Sequence, residues 1–374
     1  MTRRELLKMG VATAGAAAIG GPALATQSPP STETQPRLRV LVLGGTRFLG
    51  PSVVRAAVRA GHHVTMFNRG ISNPWLFPGV ERRIGNRFPE TAPGLDPLRS
   101  GRWDIVLDLS AQYPRLVSAT AELLKGRVRH YVLVSSIGVY GDYRRGGIDE
   151  STPVLRNPPA FGELPDLYET DWHTYGWRKV LCEDAARQAF GNACTIVRPG
   201  HLIGQELGGQ NRSDGRWYWP ARFSRDSVIG VPGDGNEPVQ FTDIRDLADF
   251  LLKVGSEGLG GTFNIVGNSI PFRDYIATVR EAVGRSPEIV WFGRERSRRI
   301  LNVPYFTPFD ALPGFATISN ARAVAAGMKF RPLKESVSTD WLFFRENLRA
   351  DHDFSANGTG LSPALEAELL AERS

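Results

Sequence analysis

The feature that most constrains the fold is a regular alternation of strand-like and helix-like segments between residues 37 and 204. The helix-like segments "VVRAAVRAGH" and "RLVSATAELLKG" end at Gly61 and Gly126, and a third covers residues 175–190. Most of the strand-like segments are apolar on both faces, namely "LRVLVLGG", "HVTMF", "WDIVLDLS", "HYVLVSS" and "CTIVRP". Such strands need helices on both sides, so the pattern predicts an α/β fold with a doubly wound parallel sheet.

The pattern becomes less regular after Gly204, which predicts a smaller C-terminal lobe that carries the substrate. We expect a dinucleotide-binding domain over residues 37–204, the smaller lobe with returning sheet elements over 205–350, and a tail over 351–374. The aromatic run "WYW" in the lobe has two readings, since it would serve either as a pocket wall or as the core of the lobe.

The first 25 residues contain, in the order typical of an export signal, a basic segment, an apolar run and a small-residue cleavage site. Arg3 and Arg4 precede an apolar run too short to span a bilayer, and "ALA" at 23–25 is typical of a cleavage site. The arginine pair resembles a twin-arginine signal, which implies export in the folded state by the twin-arginine machinery and a periplasmic location. Residues 26–36 are then a proline-rich linker, and no other segment of the sequence could cross a membrane.

Charge and cysteine content narrow the possible partners. The 374-residue chain has a formal charge of +6, of which the signal supplies +2, and the remaining basic residues are scattered. This favours small anionic ligands and makes a nucleic-acid partner less favoured. Cys182 falls in a helix pattern and Cys194 opens a strand, so we favour two buried free thiols over a disulfide. No His/Cys cluster has metal-ligand spacing, so no metal is predicted.

The segment "VLGGTRFLG" lies directly between the first strand and the first helix. A turn at this place presents backbone N–H groups and the positive end of a helix dipole to a pyrophosphate. Gly44 and Gly50 hold the outer positions of a Gly-x-x-Gly-x-x-Gly pattern, while Arg47 takes the middle one. A purely structural turn is the alternative. The predicted pyrophosphate-binding residues are Gly44, Thr46, Arg47, Phe48, Leu49 and Gly50.

The end of the second strand indicates which dinucleotide is bound. Where an acidic residue commonly holds the ribose hydroxyls, this chain has "FNRG". Asn68 and Arg69 provide no carboxylate to repel a 2′-phosphate, and Arg69, together with Arg47, could pair with one. The sequence therefore predicts NADP or NAD as cofactor and favours NADP.

In "YGWRK", Tyr175 and Lys179 are four residues apart and share one helix face. An ammonium beside a phenol stabilises the phenolate, which makes an acid/base for a hydroxyl or carbonyl group. Such a pair is also common on solvent-exposed helix faces. Ser135 and Ser136 support the catalytic interpretation, because they follow an apolar strand at the sheet edge where ligands bind in such folds.

In this order the motifs resemble the extended short-chain dehydrogenase/reductases, the NAD(P)-dependent epimerase/dehydratase family with a Rossmann sheet. The resemblance extends from residue 37 to about 341 and is nearest to the branch with chloroplast stem-loop-binding proteins and bacterial reductase-like relatives. It implies that Ser136, Tyr175 and Lys179 are catalytic and that Lys179 also holds the nicotinamide ribose. The further cofactor-binding residues that it implies are Asn86, Leu109, Ser110, Ala111, Ser135, Pro199 and His201.

The sequence also departs from this family. Dehydratases carry an Asp-Glu pair where this chain has Ile137 and Gly138, which disfavours sugar dehydration. Many nucleotide-sugar enzymes use an arginine near the position of Pro238 and Val239, which puts a nucleoside-diphosphate sugar in doubt.

We therefore expect an NAD(P)-dependent oxidoreductase or epimerase that acts on a hydroxyl or carbonyl carbon of a small, sugar-like substrate. Export in the folded state would let the enzyme carry its cofactor out of the cytoplasm. The alternatives are a nucleic-acid-binding protein on the same fold and a catalytically silent sensor that keeps its cofactor. The resemblance also implies a homodimer formed through the helices at 114–125 and 175–190.

Overall fold

The computed structural model describes residues 36–88, 90–157, 172–204, 215–300, 303–306, 312–347, 352, 354 and 359–372. The predicted export signal and, apart from Pro36, the linker lie outside these residues, as does part of the predicted tail. Residues Arg37–Ser374 form one compact unit.

The strands of the described residues fall into one large sheet and three small two-stranded pairings. They are β1 (Arg39–Leu43), β2 (His63–Asn68), β3 (Glu81–Ile84), β4 (Trp103–Asp108), β5 (Val128–Val134), β6 (Cys194–Pro199), β7 (Leu202–Ile203), β8 (Val228–Val231), β9 (Pro238–Val239), β10 (Thr242–Asp243), β11 (Gly261–Ile265), β12 (Ile270–Pro271) and β13 (Glu288–Trp291).

The helices alternate with the first strands and then dominate the C-terminal part. They are α1 (Gly50–Arg59), α2 (Pro114–Leu124), α3 (Trp172–Phe190), α4 (Gly215–Arg225), α5 (Ile244–Glu257), α6 (Phe272–Val283), α7 (Gly293–Ser297), α8 (Ala321–Ala325), α9 (Leu333–Asn347) and α10 (Pro363–Ala371). The third predicted helix thus begins at Trp172, three residues before the predicted start.

The large sheet has the order β11-β6-β5-β4-β1-β2-β3, and every neighbouring pair is parallel. The strand order reverses between β1 and β4. On one side the sheet continues from β1 to β2 and β3, and on the other from β4 to β5, β6 and β11. In doubly wound sheets a crevice opens at this point, beyond the carboxyl ends of the strands. The predicted doubly wound parallel sheet is confirmed.

Alternate residues of each central strand face opposite layers of helices. In β1, Val40 and Val42 belong to the core under α1 and α5, while Leu41 and Leu43 belong to the core under α2 and α3. All four are fully buried. Continuous burial explains why the strand sequence is apolar at every position rather than at every second one.

Cys182 on α3 and Cys194 at the start of β6 both lie in the core under α2 and α3, with free thiols. Burial raises the pKa of each thiol to about 12, so both stay protonated and unreactive at neutral pH.

A separate aromatic core holds the C-terminal lobe together. Trp217, Tyr218 and Trp219 are at most 2% exposed and belong to this core, so the aromatic run packs the lobe. Helix α10 is tied to it by Glu366, which accepts from Arg222 at 2.6 Å and from the Gly230 N–H at 2.8 Å. The lobe therefore has its own side-chain core beside the sheet.

None of the described helices combines the length and the apolar character needed to cross a membrane. Among the same residues, no cluster of three or more His, Cys, Asp or Glu side chains has the arrangement of a metal site.

Candidate active site

The turn between β1 and α1 is shaped by three glycines. Gly44 and Gly45 have φ of 118° and 105°, a region that side chains with a Cβ rarely occupy. A Cβ on Gly50 would lie 2.6 Å from the carbonyl carbon of Gly45, so α1 begins in direct contact with the turn. Gly45 was not among the predicted residues, although its close approach to Gly50 shapes the turn as much as Gly44 does.

A cavity of about 420 Å³ opens beside this turn, at the carboxyl edge of the sheet. Its size is that of a small-molecule site. The predicted residues that line it are Gly44, Thr46, Arg47, Phe48, Asn68, Arg69, Asn86, Leu109 and Ser110. The Leu49 side chain instead packs in the core under α1, at 3% exposure.

Among the described residues, those that line the cavity include three arginines, Arg47, Arg69 and Arg87, and no carboxylate. Arg87 is buried and donates to Asp108 Oδ1 at 2.6 Å and to Ser110 Oγ at 3.2 Å. This pair anchors the wall of the cavity. Sequence reasoning missed it because Arg87 lies in the loop after β3 and Asp108 at the end of β4, and neither belongs to a motif.

Two asparagines fix the loop that follows β2 against the glycine turn. Asn68 donates to the Gly44 carbonyl at 3.2 Å and accepts from the Gly70 N–H at 2.9 Å. Asn73 donates to the Thr46 carbonyl at 2.8 Å. The loop therefore forms the outer wall of the cavity, with Arg69 exposed at its start.

Arg82 on β3 also holds this loop in place. Its guanidinium donates to the carbonyl oxygens of Pro74 and Leu76, at 2.9 and 2.7 Å. Trp75 lies between these two residues and is 71% exposed, so it takes no part in the attachment.

Ser136 and Tyr175 face each other across Gly138. Ser136 caps a short 3₁₀ turn at Ile137–Val139, and its Oγ accepts from the Gly138 N–H at 3.1 Å. A Cβ on Gly138 would lie 3.4 Å from Ser136 Oγ and 3.4 Å from two ring carbons of Tyr175. Both side chains thus border the same small volume at the carboxyl end of β5.

The Lys179 side chain reaches the same edge of the sheet. It is 3% exposed, and its Nζ donates to the carbonyl oxygens of Val134 and Ala111, each at 2.7 Å. Ala111 follows Ser110 of the cavity lining, and Val134 ends β5. An ammonium has three N–H groups. Within the described part of the chain, Lys179 has one N–H left for a ligand.

A buried ionic cluster lies beneath these groups. Arg198 on β6 donates twice to Glu183 on α3, at 2.9 and 2.7 Å, and Ser135 Oγ donates to the same carboxylate at 2.6 Å. Burial alone would raise the pKa of Glu183, but the bonds from Arg198 and Ser135 hold it below its usual value. The Ser135 hydroxyl is thus bound to Glu183. Glu183 lies four residues after Lys179 on α3, so a charged residue on the same helix face is the sequence signal that could have revealed this cluster.

Pro199 ends β6, and His201 follows it within the loop to β7. The His201 ring packs edge-on against Tyr305 and Phe315, with centroid distances of 5.6 and 5.4 Å. Burial lowers the pKa of His201 to about 4, so the ring is neutral at physiological pH.

Comparison with known proteins shows what the chain is similar to. Residues 114–266 match the model of the NAD dependent epimerase/dehydratase family. The chain is 29% identical to the 2′-dehydrokanamycin reductase of Streptomyces kanamyceticus over 276 residues, 72% of each chain. It is 25% identical to chloroplast stem-loop binding protein of 41 kDa b of Arabidopsis thaliana over 355 residues, 87% of this chain and 85% of that protein.

A likeness among solved structures concerns the fold. The crystal structure of UDP-N-acetylglucosamine 4-epimerase from Bacillus cereus superposes with a TM-score of 0.59 at 18% identity, covering 83% of this chain and 98% of that one. Residues 114–266 are thus similar to the NAD-dependent epimerase/dehydratase family, and this similarity supports an NAD(P)-dependent enzyme of the oxidoreductase or epimerase type.

Proposed function

We propose that the protein oxidises or reduces a hydroxyl-bearing carbon of a sugar-like ring, with Tyr175 exchanging the proton with the substrate oxygen. The observation that carries this proposal is the meeting of Ser136 and Tyr175 at Gly138, with Lys179 buried at the same sheet edge. The reductase among its relatives supports redox chemistry rather than dehydration.

The glycine turn and the cavity beside it fit a dinucleotide. Gly44 and Gly45 adopt positive φ in the turn that would hold the pyrophosphate, and Arg47 and Arg69 supply positive charge. In the part of the chain that the structure describes, no carboxylate lines the cavity, and the Asn68 amide is engaged with Gly44 and Gly70. We therefore propose NADP rather than NAD, because Arg69 suits a 2′-phosphate. When bound, the nicotinamide accepts or supplies the hydride.

The roles of the catalytic side chains follow from their positions. The Ser136 hydroxyl accepts from the Gly138 N–H, which leaves its own proton to donate to a substrate oxygen. Tyr175 borders the same volume and transfers the proton of that oxygen. The Lys179 ammonium is held beside the end of β5 by the carbonyl oxygens of Ala111 and Val134, from where it offers an N–H to a ribose hydroxyl.

We propose further that the protein works outside the cytoplasm, carried there by the twin-arginine pathway with its cofactor bound. The signal-like order of residues 1–25 supports this. Chemistry that restores the cofactor in each turnover, as in epimerisation or paired oxidation and reduction, would suit a compartment without a soluble nicotinamide pool.

A second function has the support of one relative, the chloroplast protein whose name states stem-loop binding. A nucleic-acid site on this chain would show an affinity that falls steeply with salt. We place it second because the geometry around Tyr175 has no role in such binding.

The test is to purify the exported, full-length protein, denature it and identify any released nucleotide by mass spectrometry. We expect NADP or NADPH, and we expect added NADPH to bind where the nucleotide has been lost. Protein that releases no nicotinamide nucleotide and binds none when it is added would contradict the proposal.

A further inference from the structure

Four rings form a continuous row beside the catalytic pair, which we call the aromatic wall: Tyr143, Phe315, His201 and Tyr305. Tyr143 meets Phe315 at a centroid distance of 5.0 Å and an interplanar angle of 79°. Phe315 meets His201 at 5.4 Å, and His201 meets Tyr305 at 5.6 Å. Each contact is edge-to-face, the arrangement that aromatic pairs prefer.

The aromatic wall begins next to Ser136. The Tyr143 hydroxyl donates to the carbonyl of Ile137, the residue that follows Ser136. The Ile137 side chain in turn lies 3.5 Å from where a Cβ on Gly200 would be, directly before His201. The wall therefore runs from the turn after β5 to the loop after β6, the two loops that border the proposed reaction site.

Three of the four rings of the wall are only partly covered by protein, while Tyr143 is buried. His201, Tyr305 and Phe315 are each half-buried, whereas the rings of the lobe core are almost completely buried. Partly exposed aromatic surface at the rim of a site is the usual lining of a small-molecule pocket.

The wall carries no formal charge at neutral pH. Phenylalanine has none, burial keeps His201 neutral, and burial also raises the pKa of Tyr143 far above neutrality. Uncharged aromatic rings stabilise C–H groups that stack on them, but they do not offset the free-energy cost of removing water from a phosphate.

We propose that the aromatic wall binds the apolar face of a phosphate-free, polyhydroxylated ring, such as a sugar glycoside, an amino sugar or a cyclitol, and so determines substrate specificity. The proposal rests on the proposed function, since the ring must present a hydroxyl or carbonyl group to Tyr175. Hydroxyl groups at the ring edge are then left free to face Ser136 and Tyr175.

The experiment is saturation-transfer NMR on the full-length protein with NADP⁺ added. The probes are methyl β-D-glucopyranoside, glucosamine, myo-inositol and UDP-glucose. We expect saturation of the ring C–H protons of at least one phosphate-free probe, and weaker binding of UDP-glucose than of that probe. Binding of UDP-glucose alone, or of no probe, would overturn the proposal.

A matched set of variants locates the binding. Phe315→Leu keeps an apolar side chain but removes the ring, and it should weaken binding of the phosphate-free probe about 10-fold. Trp75→Ala, an exposed ring outside the wall, should leave it unchanged. Equal affinity in Phe315→Leu and the wild type would also overturn the proposal.

NADPH binding, measured by fluorescence on the same samples, separates the two proposals. Failure of the wild type to bind NADPH would contradict the proposed function itself. Normal NADPH binding without ring binding would contradict only the role of the aromatic wall. Normal NADPH affinity in Phe315→Leu shows that this variant is folded.

Discussion

Gly176 packs so closely on Gly138 that a Cβ on Gly176 would overlap the Gly138 carbonyl oxygen. Helix α3 therefore touches the turn that carries Ser136, and the contact sets the distance between Ser136 and Tyr175. A glycine inside a helix costs stability by itself, so its presence here is explained by the close approach.

Gly176→Ala tests this contact. The added methyl group must push α3 away from the turn, which we expect to lower kcat about 10- to 100-fold, because small displacements of catalytic groups are costly. Overpacking should also reduce the free energy of unfolding by about 1–3 kcal/mol, despite the better helix propensity of alanine. Steady-state kinetics and urea unfolding measure the two effects.

Gly146→Ala is the control for that variant, because nothing lies within 4 Å of a Cβ at Gly146. It should leave both quantities unchanged. Wild-type activity in Gly176→Ala would show that the contact does not position Tyr175.

Glu183→Gln tests the buried ionic cluster. It leaves the Arg198 guanidinium buried without its carboxylate, which we expect to cost about 3–5 kcal/mol of unfolding free energy. Asp184→Asn, on the same helix but with a half-exposed carboxylate, should cost less than about 1 kcal/mol. Urea unfolding of both variants gives the comparison, and equal losses would refute the assignment.

Arg69→Ala tests the preference for NADP. Loss of a charge-assisted bond to the 2′-phosphate should raise the Kd for NADPH about 10- to 100-fold. The Kd for NADH should change little, because NADH lacks that phosphate. Fluorescence titration with both nucleotides measures the ratio. Tighter binding of NADH than of NADPH by the wild type would contradict the preference.

Asn73→Ala tests the attachment of the loop after β2. Without the bond to the Thr46 carbonyl the outer wall of the cavity loosens, and NADPH should dissociate about 3- to 10-fold faster. Stopped-flow displacement measures the rate. Trp75→Ala, in the same loop but outside the attachment, should release NADPH at the wild-type rate. Identical rates in Asn73→Ala and the wild type would exclude the attachment from cofactor retention.

Local patterns in the sequence predicted most of the fold. Apolar runs marked the central strands, and Gly61 and Gly126 marked the ends of α1 and α2, because both have positive φ. The four-residue spacing also predicted that Tyr175 and Lys179 share one helix face, and both lie at the same edge of the sheet. These features depend on neighbours within a few residues, which a single sequence displays.

Contacts between distant segments were not predictable in the same way. The overlap at Gly176 depends on Gly138, and the Arg87 pair depends on Asp108 at the end of β4. The aromatic wall joins residues that are more than a hundred positions apart, so no periodicity could reveal it. The burial of Trp217 and Trp219 likewise depends on how distant segments of the lobe pack together.

The most direct test of the central claim is Tyr175→Phe, with turnover and NADPH binding measured on the same preparation. If Tyr175 transfers the proton, kcat should fall about 100-fold or more while the Kd for NADPH stays within about twofold. Turnover at the wild-type rate in this variant would contradict the account.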